Sequence, residues 1–458
     1  MRRLVVLNVA GLSHHLIGAA TPNIMCLAAR TSLRKLLPVI PAVTCPVQSS
    51  MLTGLAPDGH GIVGNGWYFR ELGEVLLWRQ SNRLVGGDRI WDIARRCDPA
   101  FTCANLFWWY AMFASTDVAV TPRPNYLADG RKVPDCWTSP PALREELTRQ
   151  LGQFPLFKFW GPAADITSSQ WIADAALHVI RTYGPTLTLI YLPHLDYVLQ
   201  REGPNGVSVS RELIAVDQVC GEIIDECARI GATVLLVAEY AVGAVSRPVH
   251  VNRALRRAGW LRVREELGRE QLDFANSDAF AVSDHQIAHV YVSRPELVGE
   301  VAVYLAQLPG VAQVLDKGGK RAMRIDHPRS GELVALADAD AWFTWYHWLD
   351  DARAPDFART VEIHRKPGYD PAELFMNPAF RWPRAAITWR MAKRAVGFRT
   401  LLDVIPLDSE LVRGSHGVIC DDLPVLIGAD PALLPDGVVA MTALQDLMLR
   451  HLFPASGG

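Results

Sequence analysis

Thr44 stands between two prolines, in Pro41-Ala42-Val43-Thr44-Cys45-Pro46, and its hydroxyl is the side chain best placed to do chemistry. Pro41 disfavours helix ahead of Thr44, and Pro46 falls where a first-turn proline loses no hydrogen bond. The spacing predicts a short helix with Thr44 at its N-terminus. Unpaired backbone N–H groups and the positive end of the helix dipole favour a phosphate there, and a threonine oxygen needs such help, or a metal, to attack at neutral pH. An ordinary threonine N-cap is the competing expectation. Further along, in Tyr191 to Pro204, an apolar strand runs into Asp196 and sets a carboxylate at the carboxyl edge of a sheet.

A third cluster, Ser283-Asp284-His285-Gln286-Ile287-Ala288-His289, puts a carboxylate beside an imidazole, with a second imidazole four residues on. In a helix His285 and His289 share a face; in a bend leading into a strand only Asp284 and His285 point to the cleft. The structural alternative is a histidine that satisfies a buried carboxylate. Phe107-Trp108-Trp109-Tyr110 follows an apolar run, so Trp108 is a candidate for stacking on a substrate group, with simple burial as the alternative. In the polar stretch His364 to Pro371, Arg365 and Lys366 could neutralise a phosphate, although solvated charge is the default.

Thr44 and Pro46, followed by Leu52-Thr53-Gly54 and by Pro57, His60, Gly61 and Ile62, resemble the nucleophile region of the nucleotide pyrophosphatase/phosphodiesterase family of the alkaline phosphatase superfamily. The resemblance implies an alkaline phosphatase-like α/β fold, metal-assisted attack of Thr44 on phosphorus and a covalent enzyme intermediate. It is not to a sulfatase, because Cys45-Pro46-Val47-Gln48-Ser49 lacks the C-x-P-x-R pattern. In that family the Asp196 region reads P-D-x-x-x-H-x-x-G-P; Asp196, Gly203 and Pro204 match, but Gln200 replaces the histidine. Glutamine is a poor zinc ligand and suits a harder cation or a supporting role. Glu239 and Tyr240 stand where the family carries Asp and His, and Ala10 stands where it carries a metal-binding Asp, with Asn8 nearby. His416, before Gly417, is similar to the family's last metal-binding histidine.

The resemblance thus implies Asp196, Glu239 and His416 as metal ligands, with Gln200 beside them and Asp284 and His285 compensating for the losses. The implied cofactor is one or two divalent ions, zinc first, with manganese or magnesium as alternatives. Two ions would divide the labour, one activating the hydroxyl and the other polarising the phosphate oxygens. Asn65, in the turn after the nucleophile helix, is expected to contact phosphate. The expected function is hydrolysis of a small phosphoric ester, a phosphodiester or a nucleotide pyrophosphate. The alternatives are a degenerate, non-catalytic member that binds a phosphorylated metabolite or a partner protein and, behind it, a phosphomutase.

These residues need a scaffold that brings strand ends together. Apolar runs at Arg3–Val9, Leu187–Leu192 and Ala232–Ala238 alternate with helical spacing over Ser168–Arg181 and Ser208–Ile230. That order predicts a mostly parallel central sheet covered by helices on both faces, with ligands outside the carboxyl ends of the strands. At 458 residues the chain exceeds one compact core. We expect one catalytic domain over 1–458, a proline-rich lid about 112–165 and an inserted lobe about 252–400. Charged residues make up 21% and the net charge is -2, which excludes a disordered chain and argues against a nucleic-acid polymer as partner. Eight scattered cysteines without C-x-x-C pairs, and no apolar run of membrane-spanning length, predict a cytoplasmic protein. Ile387–Leu402 is a basic amphipathic stretch expected to dock on its own domain, with peripheral membrane contact as the alternative.

Overall fold

The computed structural model describes residues 1–128, 131–398, 400 and 403–454. Its main sheet draws nine strands from both ends of the chain: β1 (Leu4–Val9), β2 (Leu33–Leu37), β3 (Cys103–Leu106), β4 (Val118–Pro122), β5 (Cys136–Ser139), β6 (Leu187–Leu192) and β7 (Thr233–Val237). Four strands, β8 (Ala279–Asp284), β9 (Ile287–Val292), β10 (Val311–Leu315) and β11 (Leu333–Ala337), form a separate antiparallel sheet. Near the C-terminus β12 (Val425–Ile427) and β13 (Val439–Ala440) return to the main sheet. Its order is β13-β2-β12-β7-β1-β6-β3-β4-β5.

The middle five strands, β7-β1-β6-β3-β4, pair in parallel, while β12 and β5 run antiparallel to their neighbours. β1 and β6 are buried along their whole length, as expected of strands covered on both faces. Helix α1 (Thr44–Thr53) is itself wholly buried. Helix α2 (Thr167–Tyr183) packs beside β6, and α3 (His194–Glu202) leaves the end of β6. In α4 (Val209–Ile230) Val209, Leu213, Val216, Cys220, Ile223 and Cys227 recur at helical spacing, all buried, and Gly231 closes the helix at φ 67°. The doubly covered, mostly parallel arrangement is the one expected.

Two stretches differ from expectation. The proline-rich region read as a lid contributes β4 and β5 to the edge of the central sheet, and helix Ala142–Leu151 packs on them. The prolines sit where strands end, at Pro122 and after Ser139, which an edge tolerates. Trp108 is fully buried in the main core and offers no face to a ligand; the whole run Phe107–Tyr110 is buried, Phe107 and Trp108 in this core and Trp109 and Tyr110 in a neighbouring one. Within the expected lobe, β8 to β11 and the helices around them enclose a core of their own. The β8–β9 hairpin turn reaches back to the ends of the main strands, with Gln286 N donating to His416 O at 2.9 Å.

Candidate active site

Three adjacent parallel strands end at one place. Asn8 lies opposite Tyr191 in β6 and Val237 in β7, so Asn8, Asp196 and Glu239 emerge at the same edge of the sheet. Gly11 makes the turn after β1 at φ 77°, and a Cβ there would meet Leu199 Cδ1 at 2.9 Å. The left-handed φ is what calls for glycine here, with the Asp196 backbone only 3.5 Å from where a Cβ would sit. Thr44 opens α1 against this edge, with Val43 as its extended N-cap. Its hydroxyl lies 3.4 Å from Tyr240 Oη.

Asn65 acts differently from expectation. Its Oδ1 accepts from Cys45 N at 3.0 Å, and Asp284 accepts from Asn65 N at 2.8 Å and from Asn65 Nδ2 at 3.1 Å. Asn65 thus caps helix α1, and Asp284 anchors Asn65. With Pro46 lacking an N–H and Val47 N bonded to Val43 O at 3.2 Å, most of the helix N-terminus is already satisfied.

Two buried carboxylates flank Thr44. Glu239 Oε1 accepts from Gln48 Nε2 at 2.5 Å and Asn8 Nδ2 at 2.8 Å, while Oε2 has no partner. Burial pushes its pKa up to about 7, against the pull of the Gln48 and Asn8 amides. Asp196 Oδ2 accepts from Gln200 Nε2 at 2.5 Å, and its other oxygen has no partner. Burial raises its pKa to about 7 as well, with Gln200 opposing and the Glu239 charge adding. Both ends of the Gln200 amide are engaged, since its Oε1 accepts from Tyr369 Oη at 2.8 Å.

His416 faces Asp196, with Nε2 3.8 Å from Asp196 Oδ1. Burial lowers the imidazole pKa to about 3, so the contact is not an ion pair. Nδ1 lies 2.9 Å from Ala42 O, which can only accept; the proton is therefore on Nδ1 and the Nε2 lone pair points at the carboxylate. Both Asp196 Oδ1 and His416 Nε2 are buried without a donor. Gly417, at φ 122°, lets this segment pass beneath the hairpin turn, where a Cβ would sit 3.0 Å from Gln286 N.

The Asp284–His289 cluster is a two-residue hairpin turn, with Asp284 paired to Ile287 and His285 at φ 60°. His285 faces the site and His289 does not. His289 donates from Nε2 to Val63 O at 2.7 Å and accepts from Gly331 N at 3.2 Å, a structural role. His285 lies between Tyr369 and His416, each ring centroid 3.7 Å away, and Tyr240 stacks on the far face of the arrangement against His416 at 3.5 Å. Burial, reinforced by His416, holds His285 well below its usual pKa. The result is a column of four rings, Tyr240, His416, His285 and Tyr369, beside Thr44.

Beyond Tyr369 lies a narrow crevice lined by Trp78, Trp160, Lys366, Tyr369, Asp370 and Glu373. Lys366 is buried and contacts Asp370 at 2.7 Å and Glu373 at 2.6 Å. Burial alone would lower its pKa, but the two carboxylates outweigh that and raise it. It is a paired internal cation, not the solvated charge expected. Tyr369, Gln48 and the pairing of Lys366 with Asp370 and Glu373 carried no signal in the sequence beyond their residue types. Among the described residues no three His, Cys, Asp or Glu side chains converge as a ready-made metal site.

The comparisons agree with this architecture. The sequence pattern of the type I phosphodiesterase / nucleotide pyrophosphatase family matches residues 4–370. An uncharacterised pyrophosphatase/phosphodiesterase of Schizosaccharomyces pombe is 27% identical over 231 residues, 48% of this chain. The chain spans only 40% of the length of that relative. Phosphonoacetate hydrolase of Sinorhizobium meliloti 1021 superposes with a TM-score of 0.62 at 15% identity, covering 98% of this chain and 96% of the other. Murine ectonucleotide pyrophosphatase/phosphodiesterase 5 gives 0.59 at 14% identity, covering 100% and 98%. At these identities the two structures speak for the fold, and the family match speaks for descent. The chain belongs to the type I phosphodiesterase / nucleotide pyrophosphatase family.

Proposed function

We propose that this protein hydrolyses small phosphoric esters, with Thr44 as the nucleophile. The observation that carries the reading is the convergence of Thr44, Asp196, Glu239 and His416 at the end of three parallel strands. Thr44 Oγ1 attacks phosphorus and the leaving group departs with its bond to phosphorus broken. Water then cleaves the Thr44 ester and returns the hydroxyl. Glu239, with a free oxygen and a pKa raised to about 7, is suited to take the hydroxyl proton near neutral pH.

The full two-ion arrangement does not fit this chain, because Ala10 and Tyr240 supply no ligand and Gln200 is engaged with Asp196 and Tyr369. A single divalent ion does fit the two orphaned acceptors, Asp196 Oδ1 and His416 Nε2. Bound there, it would supply a positive charge to the phosphoryl oxygens. Zinc suits this imidazole and carboxylate pair, with manganese or magnesium as alternatives. The scattered cysteines support a cytoplasmic setting, and no helix among the described residues is long and apolar enough to cross a membrane.

Turnover of aryl phosphodiesters, monoesters and nucleotides, measured across zinc, manganese and magnesium, tests the proposal. Activity that is undiminished in Thr44→Ala would reject it. The losses at Ala10, Gln200 and Tyr240 favour a second reading, a non-catalytic binder of phosphorylated ligands. Ligand binding without turnover and without stoichiometric metal would select that reading.

A further inference from the structure

One helix turns an apolar face to solvent. Helix α5 (Pro383–Ala395) is anchored on one side, where Ile387 packs with Ala372, Val404 and Ile405 and Arg390 pairs with Asp403 beneath Phe380. At 100° per residue, Trp382, Ala385, Trp389 and Val396 fall together on the opposite side. Trp382, Trp389, Met391, Val396 and Phe398 are between 61% and 72% exposed. Isolated exposed apolar residues are ordinary; Trp382, Trp389 and Val396 on one side of one helix are a patch, while Met391, four residues after Ile387, lies nearer the anchored side. The expectation that this stretch docks on its own domain holds for the Ile387 side only. Arg399, Leu401 and Leu402 lie outside the described residues.

The charge around the patch points to the occupant. From Leu374 to Leu402 there is no Asp or Glu, and Arg381, Arg384, Arg390, Lys393, Arg394 and Arg399 are all basic, in a chain whose net charge is -2. Lys393 reaches over the Trp389 ring at 5.3 Å, so a cation and an aromatic surface are presented side by side. Two copies meeting through this face would oppose like charges. An anionic bilayer surface offers the complement to both components, headgroup charge for the lysine and arginines and the headgroup–acyl boundary for the tryptophans. At thirteen residues the helix is about 20 Å long, too short to span the ~30 Å hydrocarbon layer, so it would lie in the interfacial plane.

We propose that α5 docks this protein onto anionic membranes, with Trp382 and Trp389 inserted at the interface. Flotation of the full chain with lipid vesicles tests this, using phosphatidylcholine alone and phosphatidylcholine mixed with phosphatidylglycerol. The wild type should float with the phosphatidylglycerol vesicles, and raising the salt should weaken the association. Trp382→Ser combined with Trp389→Ser should lower the bound fraction about tenfold, and Lys393→Glu should lower it further. Both tryptophans are exposed, so an unchanged unfolding midpoint will separate lost docking from lost fold. A wild type that stays in solution, or a double variant that floats as well as the wild type, overturns the proposal. A dimer that the double variant converts to monomer, seen by sedimentation, assigns it to a second copy.

Discussion

Glu239→Gln is the substitution that most directly tests how the buried carboxylates are held. Glu239 is fully buried, with two amide donors on Oε1 and none on Oε2. A glutamine placed there keeps the acceptor for Asn8 and Gln48 and replaces the bare oxygen with a neutral group. The folded-state pKa is raised from the ordinary 4.5 to about 7. A raised carboxyl pKa means that its contribution to stability is intact below the unfolded value and is lost as pH rises through the folded one. The displacement corresponds to about 3 kcal/mol. Glu239→Gln should therefore match the wild type near pH 4.5 and be more stable by about 3 kcal/mol above about pH 8. For a chain of 458 residues that is roughly 3 °C in the unfolding midpoint. Thermal and urea unfolding in chelator, at both pH values, provide the measurement. The same stability difference at both pH values would refute the argument that the charge, and not its hydrogen bonds, is what the fold tolerates poorly.

His289→Ala should destabilise by about 2–5 kcal/mol in urea unfolding, because it strands Val63 O and Gly331 N in the interior, whereas His285→Ala should cost less. The reverse order would show that the ring column, not the His289 pair, holds the hairpin. Gly417→Ala should cost more than about 1 kcal/mol, since it combines a positive φ with a Cβ 3.0 Å from Gln286 N. Circular dichroism melts would detect it, and no change would mean that the hairpin shifts freely. Gln200→His should restore an imidazole beside Asp196 and tighten zinc binding by about tenfold or more, read by calorimetry on stripped protein. Unaltered affinity would show that Asp196 and His416 do not form the metal edge.

Much of the scaffold was legible because it is written locally. β1, β6, β7, α2 and α4 are apolar runs or periodic stripes of adequate length, and their order fixes a parallel sheet. The settings of Thr44, at a helix start, and Asp196, after a strand end, were legible locally, whereas Glu239 and His416 were singled out only by the family resemblance. What the sequence concealed depends on distant partners. Nothing near Asn65 reveals that Asp284 will hold it, and nothing near Gln200 reveals Tyr369. His285 and His289 could be told apart only once the segment was known to turn as a hairpin. Trp108 was misread because a run of four aromatics has no period to separate a buried face from an exposed one, and here all four rings are buried between two cores.

The position of β12 has a consequence for how the chain is made. This short strand sits between β2 and β7, both of which are synthesised long before it. While the chain is still on the ribosome, β7 and β2 present unpaired N–H and C=O groups along a gap that only residues after 424 can fill. The N-terminal portion therefore cannot complete its sheet as it emerges, and two open edges must be kept from pairing with other nascent chains. His416 arrives in the same late segment. A stalled or truncated product would lack its site and carry an adhesive sheet edge, a natural target for chaperones and proteases.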